Sequence, residues 1–197
     1  MKAVGIFAGT FDPVHLGHVG FAIEAANKVG LDKVVMLPEP EPRGKRCVAT
    51  HSQRLEMLRL ATHGTDKLEI MALDTPQFTI VETLPVLQAR LPGAKLHFLM
   101  GSDIFLRSLP LWPNLDDLLR GSDLIIGCRA GDGTELIHQK VRELGLVSSK
   151  VMVVATEYGH VAGGKVRQAG GSHEVAKEVL GFIADNNLYS LPVGRDR

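Results

Sequence analysis

Between residues 2 and 29 the chain changes its hydrophobic period, and no other stretch restricts the fold as much. Residues 2–7 form a short apolar run of the kind that makes a buried strand. Gly9 follows, a residue that lets the backbone turn tightly where a ligand can approach. From there Leu16, Val19, Ala22, Ile23, Ala26 and Val29 recur at helical spacing. Strand, glycine turn and helix in that order set the helix N-terminus over the strand end. Its unpaired N–H groups and positive dipole end favour anions there, phosphates above all. His15 and His18 lie three apart on the first turn and so on one face. A lone histidine there is most simply a cap or a packing group; a pair behind a glycine loop points to phosphate contact.

The rest of the chain repeats the alternation. Strand-like runs are predicted at 32–38, 67–71, 94–100, 123–128 and 150–154. Helices are predicted at 51–60, 79–89, 134–144 and 173–185, with a short helical piece near Asp116. Thr50 with Gln53 and Thr79 with Glu82 are capping-box pairs that start two of them. Leu55, Leu58 and Ala61 are the expected apolar side of the first. Strands that are apolar at nearly every residue and alternate with helices predict an α/β fold. The expected form is a Rossmann-like, mostly parallel sheet with helices on both faces. Ligands of such sheets bind beyond the carboxyl ends of the strands. That rule brings the Gly9–His18 loop, Gly101-Ser102-Asp103 and the cationic loop holding Arg43, Lys45 and Arg46 to one rim.

Length and charge narrow the function. A chain of 197 residues without linker or repeat suits a single domain over 1–197, with a C-terminal helical part at about 159–190. Lys+Arg and Asp+Glu both number 22, so no basic excess calls for nucleic acid, and phosphates of small molecules are the expected ligands. Apolar runs such as Leu124-Ile125-Ile126 are too short to span a bilayer, and no signal peptide is expected before the first strand. Cys47 and Cys128 lack metal-ligand spacing, as two reduced thiols of a cytoplasmic protein would. No protein metal site is expected. A homo-oligomer is compatible with the sequence.

Gly9-Thr10-Phe11-Asp12-Pro13-x-His15-x-Gly17-His18 resembles the signature of nucleotidyltransferases with a His-x-Gly-His motif. Landmarks from Gly5 to about Arg129 are most similar, in order, to bacterial nicotinate-mononucleotide adenylyltransferases. Leu37-Pro38 and the Pro-rich segment ending in Lys45 resemble that family's substrate-closing loop, with Gly44 in place of a histidine. Gln77-Phe78-Thr79 resembles the segment whose backbone lines the pyridine pocket, and Gly101-Ser102-Asp103 with Trp112 resembles its Gly-x-Asp…Trp pairing.

The resemblance implies AMP transfer from ATP to nicotinate or nicotinamide mononucleotide, with Mg²⁺ accompanying the ATP and pyrophosphate released. It implies catalytic roles for His15 and His18 and ATP or phosphate contacts from Gly9, Thr10, Phe11, Asp103, Lys165 and Arg167. It implies acceptor contacts from Arg43, Lys45, Thr79, Trp112 and Arg129. Asp103 can also be read as a helix cap, Trp112 as core, and Arg43 with Lys45 as a solvated face.

A second family signature, typically Ile-Ser-Ser-Thr-x-Ile-Arg, corresponds to residues 161–167, Val-Ala-Gly-Gly-Lys-Val-Arg. Arg167 remains and Lys165 adds a cation, but the hydroxyls are missing. Gly163 and Gly164 offer backbone N–H groups instead. Three readings stay open: this transfer, a transfer to another phosphorylated acceptor or from CTP, and a nucleotide-binding relative with weak activity. On the first, the His15–His18 loop carries more of the triphosphate than in a typical relative.

Overall fold

The computed structural model describes residues 1–44, 46–128, 134–147, 150–157, 166–167 and 174–189. The elements run β1 (Ala3–Gly9), α1 (Leu16–Val29), β2 (Lys33–Pro38), α2 (His51–Thr62), β3 (Leu68–Ile70), α3 (Ile80–Arg90) and β4 (Lys95–Gly101). A π-helical turn (Ile104–Ser108) and a 3-10 turn (Leu109–Leu111) follow. Then come α4 (Leu115–Gly121), β5 (Ser122–Cys128), α5 (Thr134–Glu143), β6 (Val151–Ala155) and α6 (Lys177–Asp185).

All strand pairings are parallel, in the order β3-β2-β1-β4-β5-β6. The order reverses between β1 and β4, where helices on opposite faces diverge and leave a crevice at the carboxyl ends. Strand alternation sorts the core into two layers. Phe7, Met36, Leu99 and Ile125 face α1, α2 and α6. Ile6, Val35, Phe98 and Ile126 face α3, α4 and α5.

Two helix faces differ from the sequence expectation. Of the expected stripe on α1, Ala22 and Ala26 are buried, joined by Phe21 and Ala25, whereas Leu16 is 36% exposed and Val19, Ile23 and Val29 are only partly covered. Small alanines let the helix lie close to the sheet, and Phe21 fills the space over Gly127. A Cβ at Gly127 would stand 2.8 Å from that ring. Helix α2 buries Met57, Leu58, Thr62 and the cation Arg54, while Leu55 and Ala61 are only partly covered. Its Thr50–Gln53 capping box forms on both sides, with Gln53 N–H donating to Thr50 Oγ1 and Thr50 N–H to Gln53 Oε1. At α3 the box is half made: Glu82 N–H donates to Thr79 Oγ1, but Thr83 Oγ1 accepts the Thr79 N–H.

Candidate active site

Gly9 ends β1 in regular pairing with Pro38, so it does not make the expected turn. The turn falls at Phe11, whose φ of 50° lies in the left-handed region that side chains seldom adopt. Gly9 is needed for another reason: a Cβ there would meet the Phe11 ring at 3.0 Å. Phe11 is buried and packs edge-on against Phe7 and His18, with ring centroids 5.6 and 5.0 Å apart. Any ligand contact from Phe11 therefore comes from its backbone.

After the cis Asp12–Pro13 bond, His15 takes the N-cap position of α1 in an extended conformation. The rings of His15 and His18 stack, with centroids 3.7 Å apart. His15 N–H donates to His18 Nδ1 at 3.3 Å. An accepting Nδ1 puts the imidazole proton on Nε2, making His18 a hydrogen-bond donor through that nitrogen. Gly17 and His18 both line the cleft at the helix N-terminus.

This loop is held mainly by residues whose place in the sequence does not mark them for the site. Asp12 Oδ2 accepts from Val48 N–H at 2.8 Å, and Oδ1 accepts from Ala49 N–H at 3.1 Å and Tyr189 O–H at 2.5 Å. Burial and the bond to Asp12 push the Tyr189 hydroxyl pKa upward. Arg167 donates to the Asp12 carbonyl at 2.6 Å. Arg54, 1% exposed, donates to the carbonyls of Thr10, Glu39 and Pro40, each at 2.7 Å. Burial and the Arg54 charge hold neighbouring His51 below its ordinary pKa. Arg54 does carry a signal: it stands three and four residues before buried Met57 and Leu58, a cation inside an apolar helical stripe. Asp12 stands within the Gly9–His18 signature, but its pairing with Tyr189, 177 residues on, carries no such signal.

On the other side, the 39–43 loop is fastened to the loop before α3. Glu39 Oε1 accepts from Phe78 N–H at 3.1 Å, and Glu41 N–H donates to the Pro76 carbonyl at 2.8 Å. Arg43 donates to Gln77 Oε1 at 2.6 Å and to the Phe78 carbonyl at 2.7 Å. Trp112 follows the 3-10 turn, half-buried, its ring centroid 6.0 Å from that of Phe78. Asp103 directly precedes the π-helical turn and makes no side-chain capping bond to it.

A cavity of about 720 Å³ opens at the crevice between β1 and β4, a size suited to nucleotide-like ligands. Gly9, Thr10, Phe11, His15, His18 and Arg167 line it from one side. Arg43, Thr79, Asp103 and Trp112 line it as well. Lys45, Arg129 and Lys165 lie outside the described residues. Among the described residues no group of three His, Cys, Asp or Glu is placed to hold a metal ion. Cys47 and Cys128 are both thiols, and no described helix is long and apolar enough to cross a membrane.

The cytidylyltransferase-like family matches residues 6–168. A Neisseria meningitidis protein named "probable nicotinate-nucleotide adenylyltransferase" is 32% identical over 200 residues, 96% of this chain and 99% of its own. One of the same name from Gloeobacter violaceus is 30% identical, covering 98% of each. The fold is similar to that of the Plasmodium falciparum nicotinic acid mononucleotide adenylyltransferase complexed with NaAD. That similarity has a TM-score of 0.80 at 14% identity, over 98% of this chain and 100% of the other.

Proposed function

The chain belongs to the cytidylyltransferase-like family, among its nicotinate-nucleotide adenylyltransferases, and from that membership we propose its reaction and the part each residue plays. The enzyme transfers AMP from ATP to nicotinate mononucleotide, as in NAD biosynthesis. An oxygen of the acceptor phosphate attacks the α-phosphorus of ATP. The bond from that phosphorus to the bridging oxygen breaks, and pyrophosphate leaves with the electron pair. No protein nucleophile is needed, so catalysis rests on positioning and on stabilising negative charge.

One observation carries the assignment of parts: the histidine turn, Arg167, Arg43 and Trp112 line a single cavity at the sheet's switch point. The N-terminus of α1 and His18 Nε2–H face the triphosphate, where charge develops in the transition state. His15 stacks on His18 and keeps its ring in register. Arg167, held on the Asp12 carbonyl, presents its charge to the same phosphates. Thr10 and the backbone of Gly9 and Phe11 border them. Asp103 serves the adenosine ribose, where a carboxylate accepts from a diol. Trp112 stacks on the pyridine ring, beside Thr79 and Arg43.

The described carboxylates do not build a resident metal site, since both Asp12 oxygens already accept hydrogen bonds from protein groups. A divalent cation, Mg²⁺ on our reading, therefore enters as part of the nucleotide substrate, coordinated mainly by phosphate oxygens and water. We read the whole chain as one catalytic domain working in the cytoplasm on small molecules, without nucleic acid. Lys45, Lys165 and Arg129 are assigned to phosphate and acceptor contacts on the family resemblance.

The test is pyrophosphate release from ATP, a divalent cation and nicotinate mononucleotide. His18→Ala is expected to lower kcat/KM by about 10²–10³-fold, the usual cost of a lost transition-state donor. Full activity in that variant would remove His18 from the mechanism.

A further inference from the structure

Asp12 is the point at which the C-terminal part of the chain takes hold of the histidine turn. Its carboxylate accepts from Val48 N–H, Ala49 N–H and the Tyr189 hydroxyl, and its carbonyl accepts from Arg167. The residue before it, Phe11, holds a φ of 50°, a conformation that persists only where its surroundings over-determine it. Just beyond it comes His15, the N-cap of α1, whose N–H donates to the His18 ring. Tyr189 is buried and follows α6, whose end is closed by Leu188 N–H on the Ile183 carbonyl at 3.0 Å. Val179, Ile183 and Tyr189 pack in one apolar cluster with Phe7, Phe11 and Val14. Burial and the bond to Asp12 keep the Tyr189 hydroxyl protonated, so it is the donor.

We infer that Tyr189 is a positioning residue of this site: through the Asp12 carboxylate, its hydroxyl holds the His15–His18 turn and Arg167 in place at the cavity. This rests on reading that turn and Arg167 as the phosphate end of the site. Tyr189 itself does not line the cavity, so it acts only through residue 12. Its hydroxyl is the one donor to the Asp12 carboxylate that a substitution can remove without touching a backbone group. Without it the apolar contacts of the ring remain, but a strained turn is free to relax. A small displacement of a donor aimed at developing charge lowers the rate more than it weakens substrate binding.

Tyr189→Phe keeps the ring and removes only the hydroxyl. With ATP, a divalent cation and nicotinate mononucleotide, its kcat should fall about tenfold while KM for the acceptor stays within about twofold. Ser122→Ala is the control: it removes a buried hydroxyl that donates to the Leu118 carbonyl at the start of β5, away from the cleft. It should lower the melting temperature without lowering kcat. In a His18→Ala background, Tyr189→Phe should cost at most about threefold, because the donor it positions is already gone. The His18 ring is followed directly by long-range proton–nitrogen NMR, which reports its tautomer, and its signals should shift in Tyr189→Phe. A thermal melt of each variant reports folding.

An unchanged kcat in folded Tyr189→Phe overturns the inference and leaves adenylyl transfer standing. So do an equal fall in Ser122→Ala, equal losses in the wild-type and His18→Ala backgrounds, and unmoved His18 signals. A Tyr189→Phe variant already unfolded at the assay temperature overturns it too, marking Tyr189 as a support of the fold alone. No pyrophosphate from the wild type, with His18 signals that shift in Tyr189→Phe, defeats the transfer and supports the hold of Tyr189 on the turn.

Discussion

Arg54 donates to three carbonyls on two loops, and that geometry makes its replacement asymmetric. A planar guanidinium spans Thr10, Glu39 and Pro40 together; an ammonium is a compact point charge and cannot. Arg54→Met leaves those carbonyls without their donor and is expected to cost about 3–5 kcal/mol in urea unfolding. Arg54→Lys should recover only part of it. Tyr189→Phe removes one of the three donors to the Asp12 carboxylate, for an expected loss of about 1.5–3 kcal/mol by the same measurement. For the phosphates, the missing hydroxyls of the 161–167 segment predict that His18→Ala lowers kcat/KM more than Arg167→Ala does. Equal or reversed losses would show that segment carrying its full share.

Among the elements, α2 brings Arg54 to the site, and its capping box sets where the helix starts. Thr50→Ala removes the side-chain acceptor for the Gln53 N–H and should lower stability by about 1 kcal/mol. The denaturant midpoint should move with an unchanged m-value. Such local signals are why α1 and the start of α2 fall where their residues predict, and why strands read from apolar runs lie within a residue or two of those observed. Faces are less legible. Leu16 has the spacing of a core residue, but the helix is rotated so that Phe21 meets Gly127, a contact with β5 that spacing along α1 does not encode. Gly9 is the residue that adopts a tight turn at least cost, yet the chain puts Phe11 there, where packing on Phe7 and His18 offsets the strain. The described residues expected at the site line the cavity, and they are legible because they sit in short motifs. Their supports are not, since Asp12 meets Val48, Ala49 and Tyr189 only after the chain folds.

Over the whole molecule, the cleft lies at the carboxyl ends of the strands, and a separate charged cluster lies toward their start. His97 on β4 and Asp123 on β5 are register partners, both buried, with His97 Nδ1 3.9 Å from the carboxylate. Lys95 pairs with the same carboxylate at 2.5 Å. Desolvation pulls the His97 pKa down, against the Asp123 charge that raises it. A folded pKa below the unfolded value of 6.5 means that the unfolded chain binds the proton first as pH falls. Stability contributed by neutral His97 is therefore complete above 6.5 and declines below it, until the folded pKa is reached. The decline amounts to at most about 1.4 kcal/mol one pH unit below the unfolded pKa. Urea midpoints at pH values of about 7.5 and 5.5, either side of the histidine range, should separate less in His97→Gln than in wild type. An unchanged separation would assign the acid sensitivity to other groups, His51 among them.

The hydroxyl that Tyr189 places on Asp12 also gives the site an order of completion during synthesis. Residue 12 leaves the ribosome ahead of its partner, which lies 177 residues later. At about 5–20 residues per second the two are separated by roughly 9–35 seconds. During that interval the sheet strands accumulate while the histidine turn still lacks one of its braces. A chain cut short before residue 189 would carry every motif by which this enzyme is recognised and would lack that brace.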